Sequence, residues 1–138
     1  MQMRMLLCAA IAPMLLWRPA AGAGEGVEFT APVYRESSVR AFLRNDTTAQ
    51  VRIGGLLYLP KHAAGPVPAV IIAHTSGGMQ AVDREVAEAM NAAGFAALAY
   101  DSYIPRGTAD VHCGGGMLAV MHQTADAFAA LRALAAGA

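Results

Sequence analysis

The sequence predicts an α/β fold in which a short antiparallel β segment precedes a parallel βαβα unit. Two continuous apolar runs, Ala69-Val70-Ile71-Ile72-Ala73 and Phe95-Ala96-Ala97-Leu98-Ala99-Tyr100, have the length and composition of strands covered on both sheet faces. Between them lies a helical pattern over Val82–Ala93, and Gly94 supplies the expected C-terminal stop. A helix of that length between two buried-type strands is the spacing of a parallel crossover.

Taken in order, the elements begin after residue 23. Arg4 gives a short basic start, Met5–Trp17 is apolar, and Ala21-Gly22-Ala23 has the small-x-small pattern of a signal-peptidase site, so residues 1–23 are expected to be a signal peptide. The apolar stretch is 13 residues, and a membrane-spanning helix needs about 20. A product exported to the periplasm or medium, beginning near Gly24 and free of the membrane after cleavage, is the expectation. Residues 24–66 read as N-terminal β-strands and a linker. Val27–Phe29, Val39–Leu43 and Val51–Leu59 are the strand candidates, and Asn45-Asp46-Thr47-Thr48 is the turn between the last two. Ile53, Leu56 and Tyr58 are candidates for the buried face, and Gly54-Gly55 for a bulge.

Residues 67–138 carry the βαβα unit. Val82, Val86, Ala89, Met90 and Ala93 share one face of the first helix, with Asp83 and Glu85 near its positive end. The final helix, Leu118 to about Ala136, places Leu118, Met121, Ala125, Phe128 and Leu131 on one stripe.

Composition excludes several classes. The formal net charge is zero and no basic stripe occurs, so attraction to nucleic acid has no visible source. Removing the leader also removes Cys8 and leaves Cys113 without an intrachain partner, so stability must come from packing. His112 and Cys113 are adjacent and His122 lies beyond Gly114-Gly115-Gly116, which is no zinc spacing; no metal or cofactor is expected. His74 is expected to brace its own loop, His122 to lie near solvent, and Cys113 to be an unactivated thiol.

Five segments carry a resemblance. Pro68–Gly78, with its ending His74-Thr75-Ser76-Gly77-Gly78, is followed by Asn91-Ala92-Ala93-Gly94-Phe95 and by Asp101-Ser102-Tyr103-Ile104-Pro105-Arg106-Gly107. With Leu56-Leu57-Tyr58-Leu59-Pro60 upstream and Asp126–Leu131 downstream, their order and spacing resemble the dienelactone hydrolase family of α/β-hydrolases over roughly residues 50 to 135. The resemblance implies the N-terminal part of an α/β-hydrolase fold. It also implies a serine or cysteine hydrolase lineage acting on small-molecule esters or lactones.

A strand ending in a glycine turn at the carboxyl edge of a sheet lets backbone N–H groups face a ligand. In α/β-hydrolases one oxyanion donor comes from this loop and the other from the residue after the nucleophile. Thr75 or Ser76 is the expected donor, supported by His74, Gly77 and Gly78. Thr75 stands where the family pattern has glycine, so the loop is expected to be shaped differently. Asp101, Ser102, Tyr103 and Arg106 are candidates for the pocket-lining loop, with Asp101 and Arg106 expected to pair.

The nucleophile elbow, Gly-x-Ser-x-Gly, follows the last helix of this unit in the family, and the acid and His come later still. None falls within the chain, and neither Ser76 nor Ser102 has an elbow's neighbours. The expectation is therefore a partial α/β-hydrolase domain, truncated before the elbow and inactive alone. Two alternatives are a short non-catalytic α/β protein completed by a partner chain at an open sheet edge, and a small anion-binding module using Gly77-Gly78.

Overall fold

The computed structural model describes residues 24–36, 38–61, 65–107 and 116–137. Residues 1–23, expected to be a signal peptide, lie outside the described residues, as do His112, Cys113 and the side chain of Leu118. Strand β1 (Glu25–Tyr34) is followed by helix α1 (Val39–Arg44), strands β2 (Thr47–Tyr58) and β3 (Ala69–Ala73), helix α2 (Ala81–Ala92), strand β4 (Ala96–Tyr100), a 3-10 turn (Ile104–Arg106) and helix α3 (Gly116–Ala135). The strands form one sheet in the order β1-β2-β4-β3. β1 with β2 and β2 with β4 are antiparallel, whereas β3 with β4 is parallel, Ala69 facing Ala96 and Ala73 facing Tyr100. The expected crossover is present, and Gly94 ends α2 at φ +92°. There the N–H of Phe95 donates to Met90 O and that of Gly94 to Asn91 O, the paired closure of a Schellman motif.

The two-residue period of β4 separates two cores. Leu98 and Tyr100 point to the α3 side, where they meet Phe29, Ala31, Ile53, Leu57, Ala129 and Ala130. Ala97 and Ala99 point to the α2 side and pack with Tyr58 and Ala87. Small residues on both α2 and β4 bring that helix close to the sheet. At the β2–β4 contact a Cβ on Gly55 would stand 2.9 Å from Ala99 O, so only glycine fits there without displacement.

Four expectations are corrected. Val39–Leu43 is helical, because the Ser38 hydroxyl accepts the Ala41 N–H at 3.1 Å as an N-cap and Asn45, at φ 52°, closes the turn in the left-handed region. The antiparallel hairpin is therefore β1 with β2, and α1 lies in its connection. Gly54-Gly55 runs in unbroken register opposite Glu28 and Val27; the irregularity falls at Val33/Tyr34. Ile53 and Tyr58 are buried as expected, while Leu56 is only half-buried.

The other two concern helix faces. On α2 the buried residues are Asp83 and Ala87, while Val82, Val86 and Met90 are exposed, because the alanine surface of β4 takes the slimmer side of the helix. On α3 the sheet-facing stripe is His122, Ala125, Asp126, Ala129 and Ala130, whereas Phe128 and Leu131 are about half exposed. No described helix is long and apolar enough to cross a membrane.

Candidate active site

Parallel pairing sends β3 and β4 to the same edge of the sheet, so the loops that follow them meet there. His74 is the first residue past β3, and its side chain is fully buried. Its Nε2 lies 3.1 Å from the backbone N of Ser102 and its Nδ1 2.7 Å from Thr75 O. An amide can only donate and a carbonyl can only accept. The ring is therefore neutral with its proton on Nδ1. Tyr103 packs edge-on against it with ring centroids 4.4 Å apart. His74 thus braces its loop, and it also ties that loop to the one after β4.

The turn after His74 is closed by the Gly78 N–H donating to Thr75 O at 3.1 Å, with Gly78 at φ 75°. Thr75 does not need the left-handed region: Asn45 is the sole non-glycine at positive φ among the described residues. The turn's positive-φ position is held by Gly78, so Thr75 takes its place without left-handed strain. Ser76 lies exposed on the turn. The Gln80 N–H, at the start of α2, is taken by Asp83 Oδ2 at 2.7 Å, and Gln80 Nε2 donates to Gly77 O at 2.7 Å. With a carboxylate already at the helix N-terminus, that position opposes an anionic ligand.

The loop after β4 is ordered from inside. Asp101 Oδ1 accepts the N–H groups of Tyr103 and Ile104 at 2.8 and 3.0 Å, as an N-cap would. Arg106 does not pair with Asp101. Its two terminal nitrogens grip Asp126 on α3 at 2.8 and 2.9 Å, and Nη1 also donates to Ser102 O at 2.6 Å. The fully buried Asp126 needs a full counter-charge, whereas Asp101, a quarter exposed, is already satisfied by two backbone N–H groups. α3 grips both strand ends: Gln123 Nε2 donates to His74 O at 2.8 Å, and the Tyr100 hydroxyl donates to Gln123 O at 3.0 Å. Burial first, and then the Asp126 charge, pushes the Tyr100 phenol well above its usual range.

Gln123 and Asp126 were not legible as site residues. Asp126 gave one signal, a carboxylate on an alanine-rich helix, but it becomes diagnostic only when its face of the helix is known. His122 is buried, contrary to expectation, because that same stripe faces the sheet.

The arrangement limits the chemistry available. Both ring nitrogens of His74 are engaged in backbone hydrogen bonds, so it is not placed to take a proton from Ser76 or Ser102. Ser102 is itself fully buried. Asp101 Oδ1 is 3.9 Å from His74 Nε2, beyond a hydrogen bond and facing a lone pair. A serine–histidine–aspartate relay is therefore not assembled from Ser102, His74 and Asp101. Among the described residues no three histidine, cysteine or carboxylate side chains converge as a metal site. Beside the loops an open apolar groove of about 410 Å³ runs between β3 and α3, lined by Ile71, Ala73, Val120, Gln123, Thr124, Ala127, Phe128 and Leu131.

Antiparallel strands leading into a parallel β-α-β crossover, with a glycine turn at the carboxyl edge, define a mixed α/β protein. The model of the dienelactone hydrolase family matches residues 53–136, and the chain belongs to this family. No curated protein matches it in sequence.

Proposed function

We propose that the chain carries the oxyanion-donor part of an exported dienelactone-hydrolase-like enzyme that opens carboxylic esters or lactones. On this reading the Thr75 or Ser76 amide is one donor to the developing oxyanion. The loop of Asp101, Ser102, Tyr103 and Arg106 forms a wall of the pocket. The observation that carries the reading is the convergence, in a member of this family, of the Thr75–Gly78 turn and the β4 loop at one sheet edge, both braced by His74. A nucleophile, a carboxylate and a base are then supplied by residues outside these 138, and residues 24–138 alone do not turn over esters. A missing oxyanion donor alone costs about 2.7 to 4 kcal/mol of transition-state stabilisation; a missing nucleophile leaves no acyl transfer to stabilise.

The exposed β3 edge favours a second form of the same reading, in which the remaining catalytic half docks from a separate chain. Assay of residues 24–138 with an activated aryl ester should give no more than the slow background of free imidazole. Mixing with a family member's nucleophile-bearing half should produce activity only in the mixture. Turnover by the chain alone that vanishes in Ser76→Ala and persists in His74→Ala would overturn the proposal. Export is proposed from Ala21-Gly22-Ala23: N-terminal sequencing of protein recovered from the periplasm or medium should begin near Gly24, and full-length cytoplasmic protein would refute it.

A further inference from the structure

We infer that His74 is a positioning residue that works as one fixed tautomer, latching the loop after β3 to the loop after β4, and that a proton on Nε2 exchanges its partner from the Ser102 amide to the Asp101 carboxylate. The bearing of this latch on catalysis rests on the proposed role of the Thr75–Ser76 amides, whereas the latch itself rests on geometry alone.

Two contacts determine the tautomer, and a third fixes the neighbouring Gln123. The Ser102 N–H requires a lone pair on Nε2, Thr75 O requires a proton on Nδ1, and the Gln123 amide nitrogen is directed to His74 O at 2.8 Å. Gln123 Nε2 also lies 3.1 Å from Nδ1, but two donors face each other there, so this is a packing contact.

Protonation of Nε2 cannot coexist with the Ser102 N–H bond, since both would then be donors. The carboxylate beside the ring is Asp101, whose Oδ1 stands 3.9 Å from Nε2 and already holds the Tyr103 and Ile104 amides. A rotation toward it would pull on the start of the β4 loop while releasing Ser102. Of the other charged groups on the surrounding elements, Arg106 is paired with Asp126 and Asp83 caps α2, while Arg84, Glu85 and Glu88 of α2 are exposed to solvent. His122 is a further titratable side chain on α3, and the phenol of Tyr100, raised by burial, stays uncharged in the range of an imidazole titration.

The test is nuclear magnetic resonance of the full chain labelled with ¹⁵N. Two-bond proton–nitrogen spectra at neutral pH should show a protonated Nδ1 and a bare Nε2 for His74. On acidification the ring signals and the Ser102 amide should move with one midpoint, and Ser102 hydrogen exchange should rise by about tenfold, the equivalent of one hydrogen bond. His74→Gln keeps an acceptor near the Nε2 position and should preserve Ser102 protection while abolishing its pH response; His74→Asn, too short to reach, should lose the protection. An Nε2–H tautomer, averaging between tautomers, a ring that titrates without the Ser102 amide, or a ring that stays neutral until unfolding would each overturn the inference. These readouts need no substrate. Hydrolysis by the mixed halves with a mobile tautomer would refute the latch and leave the function standing; a fixed tautomer with no hydrolysis would do the reverse.

Discussion

Arg106 and Asp126 form the most consequential pair of side chains in the molecule. The two parallel nitrogen–oxygen contacts join the 3-10 turn to α3 in a place where Asp126 has no access to water. Such a pair adds little over a well-packed apolar pair, but breaking it strands a charge. Asp126→Ala should therefore cost about 3–5 kcal/mol in urea unfolding. The Arg106→Met, Asp126→Leu double variant should recover much of that loss. Equal damage in the single and double variants would show that shape rather than charge matters here. The neighbouring Tyr100 sets a second expectation. Its folded-state ionisation lies above the unfolded value of 10.0, because burial and the Asp126 charge both disfavour the phenolate. Its stabilising contribution is thus complete below pH 10 and is lost as pH rises further, when the unfolded chain sheds a proton that the folded chain retains. The slope approaches about 1.4 kcal/mol per pH unit for one such group. Tyr58, raised by burial and then by Glu88, acts in the same direction. Urea midpoints measured from pH 8 to 11.5 should fall above pH 10, and the fall should be shallower in Tyr100→Phe.

At the scale of elements, the glycine pair in β2 separates two physical causes. Gly55→Ala forces a Cβ to 2.9 Å from the Ala99 carbonyl and should destabilise by about 1–3 kcal/mol through overpacking. A Cβ at Gly54 meets nothing within 4 Å, so Gly54→Ala should be neutral or slightly stabilising in thermal melts. These adjacent residues look identical in sequence and were read together as a bulge; only the pairing of β2 with β4 distinguishes them. The β3-α2-β4 unit was legible because run length, Gly94 and the crossover spacing all agree on it. α1 was not, since Val39-Arg40-Ala41-Phe42-Leu43 suits a strand as well as one helical turn, and the Ser38 cap decides. Ser38→Ala should cost about 1 kcal/mol, seen as loss of amide protection within α1 before the rest of the fold opens. Helix faces were misread for a shared reason. Val82, Val86 and Met90 form the more apolar stripe of α2, and Phe128 with Leu131 that of α3, yet the described sheet takes the alanine side of each. Apolar character shows that a face is to be covered, but not by what. In the site, His74 and the Gly77-Gly78 turn were legible from their place after β3, whereas the choice of Asp126 over Asp101 as partner of Arg106 depends on three-dimensional burial.

For the whole molecule, the apolar surface left uncovered lies beside one edge of the sheet and on the outer side of α2. β3 is the last strand of the sheet, half-buried at Val70, Ile71 and Ile72, and no described residue pairs with its outer side. On the α3 side of the sheet, Val120, Phe128 and Leu131 line an apolar groove with Ile71 and Ala73 of β3; α2, on the other side, leaves Val82, Val86 and Met90 exposed. The groove and the β3 edge make a slot with an apolar wall and an unpaired backbone, which is the geometry that templates strand addition. Residues 24–138 lack Arg4 and Arg18, so eight basic side chains stand against ten acidic ones, a formal net charge of −2 that gives only weak repulsion between two such edges. Purified residues 24–138 should therefore self-associate with rising concentration in sedimentation velocity. Val86→Lys with Phe128→Lys puts one charge on the exposed apolar stripe of α2 and one in the α3 groove, at positions that are 41% and 51% exposed, where surface changes usually alter stability by only about 0.5 kcal/mol. That variant should remain folded, shift toward monomer, and fail to gain activity when mixed with a nucleophile-bearing half. Ala129→Lys, at a buried position of the α3 core, should instead unfold the chain. If the wild-type chain stays monomeric at high concentration while the double lysine variant still supports hydrolysis in the mixture, then the slot is not where the second half docks, and the active site must be completed across another face.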